Sequence, residues 1–128
     1  VIATLHTIGA ANTIDRIIDV FPANQQQQIR VQLAMVLQTV ISQQLVPLSD
    51  GGMAPVFEIM HLNSAVRNMV RESKVHQLDA LIASSAGEGM VTMDGSLLEM
   101  AKQKRISKET AVKFAANTEM MEKRMALL

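Results

Sequence analysis

Residues 1–22 read VIATLHTIGAANTIDRIIDVFP, and this stretch predicts an apolar strand followed by an amphipathic helix. Residues 1–7 are mostly apolar, which is typical of a strand covered on both faces. Apolar residues then recur at the i, i+3, i+4 and i+7 positions of a helix, at Ile14, Ile17, Ile18 and Phe21. We expect Pro22 to end this helix, because proline has no amide N–H for a further turn.

His6 lies near the end of the predicted strand, with Thr4 and Thr7 on either side of it. In an open parallel sheet, ligands bind beyond the carboxyl ends of the strands. Two hydroxyls and an imidazole offer donors that suit a phosphate oxygen or an ordered water. The alternative is that His6 only satisfies a neighbouring backbone group, and the spacing leaves both interpretations open.

The amino-acid composition limits the classes of function that fit this sequence. The 128 residues suit a single unit with a real core, and twelve basic and twelve acidic residues give no overall field toward nucleic acid or an anionic membrane. Without Trp or Tyr the chain lacks stacking platforms for bases, and without Cys it lacks disulfides and thiolate zinc sites. His61 and His76 have no matching ligand pair, so we expect no metal site. The ten Met residues indicate flexible core filler rather than an adaptable partner surface.

The middle of the chain predicts a long helix followed by a β-hairpin. The helix is expected over residues 24–45, with a buried stripe that includes Leu33 and Val40. The turn Ser49-Asp50-Gly51-Gly52 then separates two β-prone runs, 44–48 and 53–61. Glu58 lies in the second run among apolar residues. We interpret it either as a paired structural carboxylate or as a neighbour of an active site.

The segment AVRNMVRE, residues 65–72, predicts a helix that Asn63 or Ser64 caps. Its members are Ala65, Val66, Arg67, Asn68, Met69, Val70, Arg71 and Glu72. The three larger aliphatic residues face inward, the two arginines share one flank, and Asn68 and Glu72 share the other. Like charges four residues apart cost a few tenths of a kcal/mol in an isolated helix, which an outside partner for both guanidinium groups would offset. The alternative is a solvated face on which Glu72 supplies counter-charge.

The last third predicts short helices around a flexible joint. A helix over residues 75–83 precedes SSAGEG, and we expect a hinge over residues 84–91 with Gly87 and Gly89 at positive φ. Two further helices follow, the second with Ser107 as its N-cap, and the tail 117–128 is helical in propensity. The residues expected to face inward on these two helices are Leu97, Leu98 and Ala101, then Val112, Ala115 and Ala116.

Several of these blocks in order, TLHT, TIDRIIDVFP, VISQQLVP, EIM, AVRNMVRE and GMVTMD, resemble the C-terminal half of the PilT family. These are type IV pilus retraction ATPases of the type II/IV secretion superfamily. The resemblance runs from Val1 to about Lys104 and implies an α/β fold. This would be the C-terminal portion of a RecA-like P-loop ATPase domain, predominantly helical with a short strand fragment and a β-hairpin.

The resemblance also implies roles for particular residues. TLHT corresponds to the family's histidine box, so His6 would sense or position the γ-phosphate, with Thr4, Thr7 and Arg16 near the nucleotide. Residues 65–72 would be the family's retraction motif, coupling nucleotide state to movement. Departures at Val66, Met69 and Val70 keep its apolar face.

The sequence contains no G-x-x-x-x-G-K-[ST] phosphate loop. We therefore expect this chain to be a segment of a longer protein. The resemblance implies that the segment lacks the Walker A and Walker B motifs and the N-terminal PAS-like domain of the family, so we expect it to hydrolyse no ATP on its own. The resemblance implies that the parent binds ATP and Mg²⁺ and forms a homo-hexamer. It would work in the cytoplasm, peripheral to the inner membrane and in contact with the pilus machinery there. Two alternatives stay open: a pilus-assembly or type II secretion ATPase of the same superfamily, and a non-catalytic helical interaction module.

Overall fold

A long antiparallel β-ribbon lies at the centre of the fold. In the computed structural model, which describes all residues Val1–Leu128, strand β1 (Thr39–Pro47) pairs with β2 (Met53–His61) along its whole length. Gly51 and Gly52 form the connecting turn at φ 99° and 79°, a left-handed region that glycine enters without a steric penalty. Buried and exposed residues alternate along both strands, so one face of the ribbon is buried.

Seven helices surround the inner face of the ribbon or extend from it. They are α1 (Ala10–Asp19), α2 (Gln26–Val36), α3 (Ser64–Arg71), α4 (Leu78–Ser84), α5 (Met93–Lys102), α6 (Lys108–Phe114) and α7 (Thr118–Ala126). Short 3₁₀ turns at Ala23–Gln25, Val75–Gln77 and Ala86–Glu88 join some of them.

Two separate hydrophobic cores form on the inner face of the ribbon. The first core lies where Val40 pairs with Met60, and it takes in α1 to α4. The second core lies nearer the turn, around Val46 and Val56, and it takes in α5 to α7. Six of the ten methionines are buried in these cores, which confirms their role as core filler: Met60, Met90, Met93, Met100, Met121 and Met125.

Between the two cores the inner face carries a polar pair. Ser42 and Glu58 are direct partners across the ribbon, and they are the only buried polar or charged residues of the chain, each 4% exposed. The outer face is different, because Ile41, Leu45 and Met53 remain more than half exposed there.

Two predictions about secondary structure are wrong. Residues 1–7 form no strand; the first six are exposed and pair with nothing, because a strand needs a neighbouring strand to satisfy its N–H and C=O groups. The helix expected over residues 24–45 ends at Val36, and residues from Thr39 onward belong to β1. Pairing with β2 outweighs the helical propensity of glutamine and leucine there, as tertiary context commonly does.

Most of the remaining predictions are confirmed. The hairpin turn is at residues 49–52, and the Asn63 and Ser107 side chains cap α3 and α6 by accepting from the N–H groups of Val66 and Thr110. The predicted helix over 75–83 is a 3₁₀ turn continued by α4, and the tail forms α7.

The joint and the inward faces need small corrections. In the joint, Gly89 has a positive φ of 81° and Gly87 does not. Leu97 and Ala101 are buried, and Leu98, Val112 and Ala115 are half-buried against the second core. Ala116 is exposed, because α6 ends at Phe114 before that position. None of the seven helices combines the length and the apolar character needed to cross a bilayer.

Replacing Leu97 tests the second core. Leu97 is fully buried, so Leu97→Ala should lower the free energy of unfolding by about 2–5 kcal/mol through lost burial and a residual cavity. Urea denaturation measures this. Met35→Ala is the control, because Met35 is 68% exposed and its loss should change stability by less than about 0.5 kcal/mol. Equal effects of the two substitutions would contradict the assignment of the core.

Candidate functional site

An open groove of about 510 Å³ runs along α1 beside the segment that precedes it. Its lining residues are His6, Thr7, Ile8, Asn12, Asp15, Arg16 and Asp19. The structure thus brings together three of the four residues that the sequence predicts near a nucleotide. Thr4 is exposed and lies outside the lining.

The groove was only partly visible in the sequence. Asn12, Asp15, Arg16 and Asp19 occupy i, i+3, i+4 and i+7, so they form one polar stripe along α1. The same periodicity that reveals the buried stripe at Ile14 and Ile18 therefore also marks the groove wall. Of these four residues, only Arg16 is predicted as a site residue, because the resemblance assigns a role to it alone.

Local hydrogen bonds hold the segment before α1 against that helix. The hydroxyls of Thr7 and Thr13 are 2.8 Å apart, and Thr13 Oγ1 also donates to the carbonyl of Gly9 at 2.9 Å. Asn12 Nδ2 donates to the Ile8 carbonyl at 2.8 Å. Gly9 makes the turn into the helix at φ 94°. These contacts keep His6 at the mouth of the groove, with its side chain exposed rather than packed in the core.

The side chains of the groove are chemically suited to an anion that carries hydroxyl groups. His6, Thr7, Asn12 and Arg16 are able to donate hydrogen bonds to phosphate oxygens. Asp15 and Asp19 only accept hydrogen bonds when ionised, which suits sugar hydroxyls. No group of three or more His, Asp or Glu side chains lies close enough to hold a metal ion.

The turn at the start of α1 is fixed from the ribbon. The amide of Gly9 donates to Ser42 Oγ, and the amide of Ala10 donates to Glu58 Oε1, both at 2.7 Å. The other carboxylate oxygen, Oε2, accepts from the amide of Met93 at 3.0 Å. Of the two interpretations of Glu58, the structure supports the paired structural carboxylate, and its partners are backbone amides rather than a cation.

The AVRNMVRE segment forms α3 and lies outside the groove, since none of its residues lines it. Val66 and Val70 are fully buried and Met69 is half-buried, which confirms the predicted apolar face. Ala65 is exposed. The inner side of this helix is therefore occupied by the first core.

The two arginines of α3 have different surroundings within the chain. Arg67 Nη1 donates to carbonyls at the end of α2, those of Ala34, of Met35 at 3.3 Å and of Leu37 at 3.1 Å. A guanidinium is well matched to this task, because the last carbonyls of a helix lack partners within the helix. The Nη1 group of Arg67 is thus occupied within the chain.

The remaining polar positions of the motif face solvent. Arg71 Nη1 donates to Asn68 Oδ1 at 3.1 Å, and Glu72 pairs with Lys74 at 3.0 Å. Arg71, Asn68 and Glu72 are all exposed. Of the two arginines, only Arg71 is therefore placed for an external partner.

Comparisons with known proteins identify close relatives. The chain is 44% identical over 122 residues to the twitching motility protein of Neisseria gonorrhoeae, covering 94% of this chain and 33% of that protein. It is 43% identical over 111 residues to the type IV pilus retraction ATPase PilT of Pseudomonas aeruginosa, covering 87% of this chain and 32% of that protein. The chain thus spans about a third of the length of these relatives.

The structure is also similar to a solved one. A crystal structure of the pilus retraction motor PilT with bound ADP superimposes with a TM-score of 0.82 at 38% identity, over 93% of this chain and 33% of that one. The described fold, helices around an antiparallel ribbon, is that of the C-terminal portion of this RecA-like ATPase. No model of a known protein family matches the chain.

The different surroundings of the two arginines predict different effects on stability. Arg67→Ala should lower the free energy of unfolding by about 1–3 kcal/mol, because several carbonyls at the end of α2 lose a charged donor. Arg71→Ala should change it by less than about 0.5 kcal/mol, since that side chain is exposed. Chemical denaturation of both variants measures the difference. A larger loss in Arg71→Ala would contradict the assignment.

Proposed function

Because the chain belongs to the PilT family of type IV pilus retraction ATPases, we propose that it is the C-terminal segment of a motor that hydrolyses ATP to retract type IV pili and drive twitching motility. The observation that carries the proposal is the groove that gathers His6, Thr7 and Arg16, in a chain related to these proteins over 94% of its length.

The groove is the proposed nucleotide-facing edge of the segment. His6 senses the position of the γ-phosphate. Thr7 contributes a hydroxyl beside that phosphate, and Arg16 contributes a permanent positive charge. Thr4 lies on the same segment before α1 and flanks the phosphate once the rest of the protein is in place. Phosphoryl transfer depends on positioning and on neutralising charge, which such donors supply.

The remaining elements of the ATPase lie outside these 128 residues. The chain carries no P-loop motif, so the backbone cradle for the phosphates and its lysine come from the rest of the protein. The motor works as a homo-hexamer in the cytoplasm, peripheral to the inner membrane and in contact with the pilus machinery there.

The retraction motif on α3 couples nucleotide state to movement in this proposal. Arg67 ties α3 to the end of α2, and α2 packs beside α1, which carries the groove wall. Arg71 is left as the outward-facing contact for a neighbouring subunit or the pilus machinery. The relatives' names, a twitching motility protein and a retraction ATPase, favour retraction over fibre assembly.

Replacing His6 in the full-length protein tests the nucleotide role. His6→Ala should lower magnesium-dependent phosphate release by about 10²-fold, the range of a lost proton-transfer or charge-stabilising group. Thermal stability should stay unchanged, because the ring is exposed. His76→Ala is the matched control, since His76 is also an exposed histidine but lies outside the groove lining, and its loss should leave phosphate release close to wild type. The 128-residue chain alone should show no turnover. Wild-type rates in His6→Ala, or turnover by the chain alone, would refute the proposal.

Replacing Arg71 tests the coupling role. Arg71→Ala in the full-length protein should abolish twitching on agar while leaving folding and ATP hydrolysis close to wild type, because the side chain is exposed and lies away from the groove. Surface pili should accumulate in the mutant strain. Lys102→Ala is the control, an exposed cation on α5 outside the motif. Wild-type twitching in Arg71→Ala would remove the coupling role.

A further inference from the structure

We infer that Glu58 is a positioning residue that joins the groove to the C-terminal helices, so that displacement at one is transmitted to the other. The carboxylate lies between the two cores, and each of its oxygens serves a different helix. Oε1 accepts from Ala10, the first residue of α1, and Oε2 accepts from Met93, the first residue of α5.

The two bonds reach across large distances in the sequence. Ala10 is 48 positions before Glu58, and Met93 is 35 positions after it. One of these helices carries the groove wall and the other begins the unit α5 to α7. Glu58 itself sits on β2, opposite Ser42, whose hydroxyl accepts from Gly9. Ser42 and Glu58 together therefore hold the starts of α1 and α5 to one position on the β-ribbon.

Burial makes this contact rigid. Glu58 is 4% exposed, and a buried carboxylate is tolerated when hydrogen bonds to N–H groups replace its hydration. The amides at a helix start lack partners within the helix, and the positive end of the helix dipole favours an anion there. If α1 shifts, the carboxylate must follow it or leave an amide unsatisfied, and either outcome alters the bond to Met93.

Other contacts between β2 and α5 do not reach α1. Ser96 Oγ donates to the Phe57 carbonyl at 2.6 Å, and Ile59 and Val91 exchange backbone hydrogen bonds at 2.9 and 3.1 Å. These contacts hold α5 to the ribbon next to the joint at residues 84–91. They provide a matched control, since removing one loosens α5 without touching the groove side.

The response to nucleotide rests on the function proposed above, because it requires that the His6 segment moves when a phosphate binds beside it. The mechanical link itself does not depend on that function. The two are therefore tested separately, with one perturbation that needs no ligand and one that uses ADP.

The experiment is methyl NMR on the full-length protein with labelled methionine. Met121 is the reporter, because it is 1% exposed in the second core and belongs to α7, away from Glu58. The perturbation is Thr13→Val, which removes the hydroxyl that contacts Thr7 and Gly9. It is introduced into wild-type, Glu58→Gln and Ser96→Ala backgrounds. Glutamine keeps the shape of Glu58 but offers one acceptor oxygen for two amides.

We expect Thr13→Val to shift the Met121 signal in the wild-type and Ser96→Ala backgrounds and to leave it in place in Glu58→Gln. We also expect Glu58→Gln to raise hydrogen exchange about tenfold or more at the start of α1 or α5, since one amide loses its acceptor. An unmoved signal in the wild-type background, or an equal shift in Glu58→Gln, would overturn the inference. So would a Glu58→Gln protein with unchanged exchange at both helix starts.

ADP is then added to the same samples. A change in exchange over residues 5–12 together with a Met121 shift that Glu58→Gln removes supports both the link and the proposed function. If ADP has no effect over residues 5–12 while Thr13→Val still moves Met121 through Glu58, the proposed function fails and the inference stands. If ADP changes exchange over residues 5–12 but moves Met121 equally in Glu58→Gln, the inference fails and the function stands.

Discussion

A single buried carboxylate holds the two halves of this structure in a fixed relation. Burial of an ionised group costs several kcal/mol unless its hydration is replaced, so the fold must keep amide donors on both oxygens of Glu58. The amides come from the starts of two helices that are distant in sequence, and the hydroxyl of Ser42 accepts from a third amide beside them. The apolar cores fill the space on either side, and Glu58 is the side chain that bonds to the starts of both α1 and α5.

The structure also separates two tasks that the sequence places side by side. Arg67 and Arg71 look equivalent on a helical wheel, four residues apart in one motif. One of them completes the end of α2, and the other stays at the surface. A variant of Arg67 would therefore combine a folding defect with any loss of the coupling proposed above, and Arg71 is the better position for testing that proposal.

Local patterns in the sequence predicted the helices, their caps and the hairpin turn, because Asn63, Ser107 and the Ser49–Gly52 turn act through neighbours a few residues away. They failed where pairing with a strand distant in the sequence, or the absence of such pairing, decides the structure. Residues 1–7 have the composition of a strand but no strand to pair with, and residues 39–45 have helical propensity but pair with β2. The groove was half predicted: His6, Thr7 and Arg16 were recognised from a resemblance. Asn12, Asp15 and Asp19 were not, since a polar helical stripe looks the same whether it faces solvent or a ligand.

The separations bridged by Glu58 have a consequence for the order in which the chain folds. The strands of the ribbon are joined by a short turn, so their pairing is local and forms on the microsecond scale of isolated hairpins. Closing loops of 48 and 35 positions costs more chain entropy, and the contacts that offset this cost form only once the loops have closed. We therefore expect the hairpin to form early in the folding reaction and the two helix starts to dock onto its carboxylate late.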